Sequence, residues 1–125
     1  ESKELLTYLL MKADDEIGYA DELCDEIDAN LNTPGRIHKK TLRKIVRWMD
    51  KSLRFSGDKE TELQVRIHFC RRIQDKRIRF GGCRVSENMY ATQLRKIDKA
   101  IEKVHPDLQF DYNQQLSEIT TPVYH

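Results

Sequence analysis

The residues with the clearest chemical meaning are the lysines and arginines of segment 36–55, which recur at steps of three and four. Side chains at that spacing share one face of an α-helix. A face of cations can follow a phosphate backbone, and each contact releases a counterion. The members are Arg36, Lys39, Lys40, Arg43, Lys44, Arg47, Lys51 and Arg54. The pattern therefore predicts contact with a polyanion, although a solvated helix face can have the same spacing.

A second basic segment, at 66–84, is rich in arginine. Its seven cations include a single lysine: Arg66, Arg71, Arg72, Lys76, Arg77, Arg79 and Arg84. Arginine makes bidentate contacts to phosphate and carboxylate groups, so this composition favours specific contacts. We predict that both segments form one continuous cationic surface, with contacts from Lys40, Arg43, Lys44, Arg47, Lys51, Arg71, Arg72 and Arg77. Trp48 lies beside the cations and could stack on a base; the alternative places Trp48 in the core.

Charge is segregated along the chain, although the formal net charge is only +1. Residues 1–29 hold ten acids and two lysines, whereas residues 36–84 hold sixteen basic residues and five acids. The basic middle therefore faces a polyanion, an acidic partner or the acidic end of the chain itself. The sequence does not decide between nucleic acid and an acidic protein surface. It also leaves open a homodimer that pairs through opposite poles.

His68, Cys70 and Cys83 have the residue types of a metal site but not the spacing. A structural zinc site has four ligands, usually in pairs two to four residues apart. In a helix, the side chains of His68 and Cys70 would point about 200° apart. We therefore expect no metal and no other cofactor, with Cys70 buried and His68 at the surface.

No motif in the chain predicts catalysis. It contains no Gly-x-Ser-x-Gly, no phosphate-binding glycine-rich loop and no His-Glu-x-x-His. A nuclease using Glu60, Glu62 or Asp75 with a divalent ion is conceivable, but nothing in their spacing requires it. The sequence favours a non-catalytic nucleic-acid-binding or regulatory module. The alternative is a protein-interaction module or adaptor with opposite acidic and basic poles.

The elements that must position these residues are predicted to be helical. Apolar residues at steps of three and four indicate an all-α fold, a compact bundle of about five helices in one domain over residues 1–125. Helices are expected at about 2–13, 14–31, 36–55, 58–80 and 86–105, with Gly81-Gly82 as a break and Pro106 as a helix end. Residues 107–125 are predicted to be a loosely docked tail, with one short helix or a frayed end.

Residues 61–80 fit two patterns. Leu63, Val65, Ile67 and Phe69 alternate with polar residues as in a strand, whereas Leu63, Ile67, Cys70 and Ile73 follow helical spacing. The length of the segment, and the lack of a tight turn before Gly81, favour a helix. The alternative is a short β-hairpin near residues 62–80, with 77–80 as the return strand.

The cellular location is predicted to be intracellular. No apolar run approaches the roughly 20 residues of a membrane span, so no membrane contact is expected. The first apolar cluster lies among acids and lacks the basic leader of a secretory signal. Three widely spaced cysteines suit a reducing compartment better than a disulfide framework.

Overall fold

The computed structural model describes residues 19–32, 37–80 and 84–120, except for the side chains of 76–80 and 84–87. Within these ranges the chain forms five helices and no strand. They are α1 (Tyr19–Leu31), α2 (Lys39–Ser56), α3 (Lys59–Phe80), α4 (Arg84–Ile101) and α5 (Pro106–Thr120). The prediction of an all-α bundle of about five helices is confirmed. The predicted helix at 2–13 and the Gly81-Gly82 break lie outside the described residues.

Helix α2 ends at a glycine whose backbone only glycine adopts readily. Gly57 has φ 64°, and its N–H donates to the carbonyl of Leu53 at 3.2 Å. This left-handed residue closes the last turn and satisfies a free carbonyl. Asp58 then caps α3, because its carboxylate accepts the backbone N–H of Thr61 at 3.3 Å. This carboxylate satisfies one of the N–H groups that the first turn of α3 leaves without a helical partner.

Segment 61–80 is a helix rather than a hairpin, and its burial explains the mixed pattern. Helix α3 packs against all four other described helices. Leu63, Val65, Ile67 and Phe69 are all buried, although they lie on different sides of α3. A helix covered on most sides needs apolar residues around its circumference. The alternation that resembled a strand is therefore typical of a central helix.

Helices α4 and α5 meet at a proline. Helix α4 ends at Ile101, before the predicted end, and Pro106 begins α5 instead of only terminating α4. Proline suits the first turn of a helix because the N–H it lacks has no partner there. Helix α5 has 15 residues, more than the short helix that the sequence predicted. The Tyr90 hydroxyl donates to the carbonyl of Ile119, which ties α4 to α5.

One hydrophobic core draws side chains from all five helices. Its members include Leu23, Met49, Phe69, Ile97 and Ile119, each no more than 1% exposed. Fully burying a side chain of this size contributes about 1.5–3 kcal/mol before entropic costs. None of the described helices combines the length and the apolar character needed to cross a bilayer.

Candidate nucleic-acid interface

Seven cations of α2 project from one side of the helix and form a surface that we call the cationic face. At 100° per residue they fall within about 140° of the helix circumference and span about 23 Å along its axis. The seven are Lys39, Lys40, Arg43, Lys44, Arg47, Lys51 and Arg54, and all are exposed. Five of them, from Lys40 to Lys51, belong to the predicted contact set.

The cationic face points to solvent because α2 buries its opposite side. Leu42, Ile45, Met49 and Leu53 follow one another at steps of three and four and lie in the core. In the described part of the chain, no carboxylate lies within ion-pair distance of any of the seven cations. The positive charge of this surface is therefore not neutralised by those residues.

Asp50 is the only acid in the sequence of α2, and it lies near one edge of the cationic face, about 20° around the helix from Lys39. Its carboxylate accepts from Arg66 Nη1 at 2.8 Å and from Lys96 Nζ at 3.2 Å. Arg66 is 5% exposed and also donates to Glu62 at 2.9 Å and to Gln93 at 2.7 Å. Such a buried guanidinium needs several acceptors to offset its desolvation. The carboxylate of Asp50 is thus paired with cations of α3 and α4 and not with those of the cationic face.

The second predicted segment behaves differently, because its described exposed arginines already have partners. Arg71 Nη2 donates to Glu118 at 3.2 Å, and Arg72 Nε donates to Asp28 at 2.8 Å. His68 Nε2 also lies 2.8 Å from the Asp28 carboxylate. Asp28 belongs to the acidic amino-terminal part of the chain, so one of its carboxylates meets α3 rather than α2.

Three arginines of α3 point to three different helices. Arg66 contacts α2, Arg71 contacts α5 and Arg72 contacts α1. The structure therefore does not bring Arg71 and Arg72 together with the cationic face as one set of unpaired charges. The side chain of Arg77 lies outside the described residues.

Asp28 links α1 to α3 through its charge. Partial burial alone would raise the pKa of the Asp28 carboxyl, but hydrogen bonds and positive charge from His68 and Arg72 lower it by more. The pKa of Asp28 therefore lies below its ordinary value. The carboxylate is the stable form at neutral pH, and it is occupied by these two side chains.

Two aromatic side chains border the cationic face on one flank. Trp48 packs in part against the core, and its Nε1 is buried without a hydrogen-bond partner in the described structure. Phe55 lies seven residues later on the same side of α2 and is 46% exposed. Sequence reasoning singled out Trp48 but missed Phe55. The signal was available, because residues seven apart lie about two helical turns apart on nearly the same side.

The two described cysteines are weak nucleophiles at neutral pH. Burial, followed by the charges of Asp21, Asp28 and Asp25, raises the pKa of Cys24 to about 12. Burial likewise raises the pKa of Cys70 to about 12. Both thiols are therefore protonated at neutral pH, whereas nucleophilic attack needs the thiolate.

Metal-ligand types do not converge in the part of the chain that the structure describes. Within it, no group of three or more His, Cys, Asp or Glu side chains could hold an ion. His68 is engaged with Asp28, and Cys70 is buried. Cys83 lies outside the described residues.

The acids considered for a nuclease are also separated. Glu62 accepts from Lys59 at 3.0 Å and from Arg66, whereas Glu60 and Asp75 are exposed. Thirteen residues of helix separate Glu62 from Asp75, which places their backbones about 20 Å apart. Glu62 and Asp75 therefore cannot share one metal ion.

A surface cavity of about 290 Å³ adjoins the carboxyl end of the cationic face. Its lining residues are Asp50, Leu53, Arg54, Gly57, Lys59, Glu62, Arg66 and Lys96. Four of these are cations and two are acids, and every charged lining residue except Arg54 is in an ion pair. The unpaired charge at this cavity is therefore that of the cationic face itself.

Comparison of the chain with protein-family models, curated proteins and solved structures gave no significant match.

Proposed function

We propose that this protein is a non-catalytic nucleic-acid-binding module that contacts phosphates through the cationic face of α2. The observation that carries the proposal is the set of seven exposed cations without a carboxylate partner in the described structure. Surfaces of this kind attract nucleic acid because each lysine or arginine that meets a phosphate releases a condensed counterion.

The amino end of α2 supports the proposal because positively charged side chains lie there, next to the positive end of the helix dipole. Its first turn holds Lys39 and Lys40 and no acid, although the positive end of the helix dipole lies there. The N-cap residue His38 makes no side-chain cap hydrogen bond. Repulsion among the cations and with the dipole destabilises the free protein, and a polyanion would relieve it.

Arg71 and Arg72 have a secondary place in this proposal. Each would have to leave a carboxylate before it met a phosphate, and both ion pairs are exposed and weak. The primary contacts are therefore assigned to Lys40, Arg43 and their neighbours on α2.

The experiment compares charge reversal on two helices. The double variant Arg43→Glu, Arg47→Glu changes the cationic face, and Arg95→Glu, Lys99→Glu makes the same change in net charge on exposed positions of α4. Binding of a labelled oligonucleotide is followed by fluorescence anisotropy at about 50 mM salt, where phosphate contacts are strong. The α2 variant should bind at least about tenfold more weakly than the α4 variant.

Two results would contradict the proposal. One is a wild-type protein that does not bind oligonucleotide even at low salt. The other is an equal loss in both double variants, which would trace the binding to net charge alone. A salt-sensitive complex that survives nuclease treatment, measured by light scattering, would favour the alternative of an acidic protein partner or a second copy.

A further inference from the structure

The flank that carries Trp48 and Phe55 adds information about the kind of nucleic acid. The two rings lie on α2 positions about 20° apart around the helix and about 10.5 Å apart along it. Lys44 and Lys51 lie between this flank and the centre of the cationic face. Phe55 is one of two large hydrophobic side chains exposed in the described structure. An exposed ring beside a row of exposed cations has the composition of a stacking platform.

We propose that the site takes single-stranded nucleic acid, with the phosphates on the cationic face and the bases turned toward Trp48 and Phe55. This inference rests on the proposed function and names its substrate class. The aromatic residues border one side of the cationic face only, because the other side leads to Val46 and Asp50. A strand lying along α2 would therefore place its backbone and its bases on different sides.

A duplex does not use such a platform. Its bases are stacked inside, and a ring beside the backbone meets sugar and phosphate instead of a π-face. Unpaired bases can stack on an aromatic side chain, and every base offers a face for this.

The burial of Trp48 Nε1 predicts low sequence preference. The indole N–H is the polar atom of this side chain, and it is buried without a partner in the described region. It is therefore not presented to read the edge of a base. Recognition through ring faces and phosphates is tolerant of sequence.

The test compares one oligonucleotide of about 12 nucleotides, within the range of single-strand sites, with the duplex that it forms with its complement. Three variants are measured with the wild type: Phe55→Ala, Phe55→Tyr and Phe110→Ala. Phe110 is 79% exposed on α5, so its removal is a matched control for the loss of an exposed phenylalanine. Circular dichroism checks that each variant keeps its helices.

The expected result is tighter binding of the single strand than of the duplex. Phe55→Ala should weaken single-strand binding about tenfold and leave duplex binding unchanged, while Phe55→Tyr and Phe110→Ala bind as the wild type does. Trp48 is the only tryptophan in the chain, so quenching of its fluorescence by the single strand reports stacking directly.

The outcomes separate this inference from the proposed function. Equal binding of single strand and duplex, with no effect of Phe55→Ala and no quenching of Trp48, overturns the single-strand inference and leaves the nucleic-acid module standing. Binding of neither form overturns both. A loss in Phe55→Ala that Phe110→Ala shares equally would also overturn the role of the aromatic flank.

Discussion

At the scale of single residues, Arg66 is the charge on which the packing of α2 against α3 depends most. Removing a partner from a buried ion pair costs about 3–5 kcal/mol. Asp50 and Glu62 each keep a lysine partner in Arg66→Ala, so we expect a loss near 3 kcal/mol in the free energy of unfolding. Urea denaturation measures it. The exposed pair of Arg71 predicts at most about 1 kcal/mol for Arg71→Ala, and equal costs in the two variants would contradict this account.

Acid should weaken the ion pairs that Glu62 makes with Arg66 and Lys59. Partial burial would raise the pKa of Glu62, but hydrogen bonds and positive charge from Arg66 and Lys59 outweigh this effect, so the pKa lies below its ordinary value. A carboxyl with a lowered pKa stabilises the fold above its unfolded pKa, and the stabilisation is lost as pH falls through its folded pKa. Glu62→Gln should therefore destabilise the protein at pH 7, and the difference in stability from wild type should narrow as the pH falls below the ordinary glutamate pKa of about 4.3. Urea denaturation at several pH values measures the stability difference between Glu62→Gln and wild type. A difference that grows in acid would contradict the prediction.

At the scale of the helices, a capping side chain at the start of α2 is predicted to make the protein more stable. His38 has the extended backbone of an N-cap (φ −67°, ψ 143°) but no side-chain cap hydrogen bond. Serine at an N-cap accepts a backbone N–H, so His38→Ser should raise the free energy of unfolding by about 0.5–1 kcal/mol. Asp58→Ala removes an existing cap on α3 and should lower the free energy of unfolding by about 1 kcal/mol. Thermal or urea unfolding measures the change in stability of each variant. A His38→Ser protein that is no more stable than wild type would contradict the predicted gain.

The helices differ in how far the sequence could predict them. Helix α2 has one apolar stripe and a glycine stop, so its span was predicted to within a few residues. Helix α3 was ambiguous because it is buried on several sides, which hides the period of 3.6. Helix α5 was underestimated because it buries only Tyr112 and Ile119 fully, and so few buried positions give a weak pattern.

The geometry of the candidate site could be predicted only in part from the sequence, because some of its ion pairs depend on tertiary packing. Local spacing was enough to place Lys40, Arg43 and Arg47 on one face of α2. It could not show that Arg72 meets Asp28 across 44 residues, or that Arg71 meets Glu118 across 47. Those pairings depend on which helices lie side by side.

At the scale of the whole molecule, contacts among the described residues cancel only part of the charge segregation along the sequence. The acidic α1 packs against α3, where Asp28 neutralises Arg72, while Asp21 and Asp25 stay exposed. The cationic face of α2 remains without a carboxylate partner in the described structure. Among the described residues, the fold therefore keeps a positive surface without a carboxylate partner, although the net charge of the chain is near zero.

The most direct measurement of the central claim is the salt dependence of single-strand binding. Each phosphate contact contributes about −0.7 to the slope of log affinity against log salt concentration. The triple variant Lys40→Gln, Lys44→Gln, Lys51→Gln should therefore reduce the slope by about 2, while Arg95→Gln, Lys99→Gln, Lys103→Gln on and after α4 should leave it unchanged. The claim of a phosphate-binding face on α2 would be contradicted if the α2 variant had the wild-type slope. It would also be contradicted if both variants reduced the slope equally.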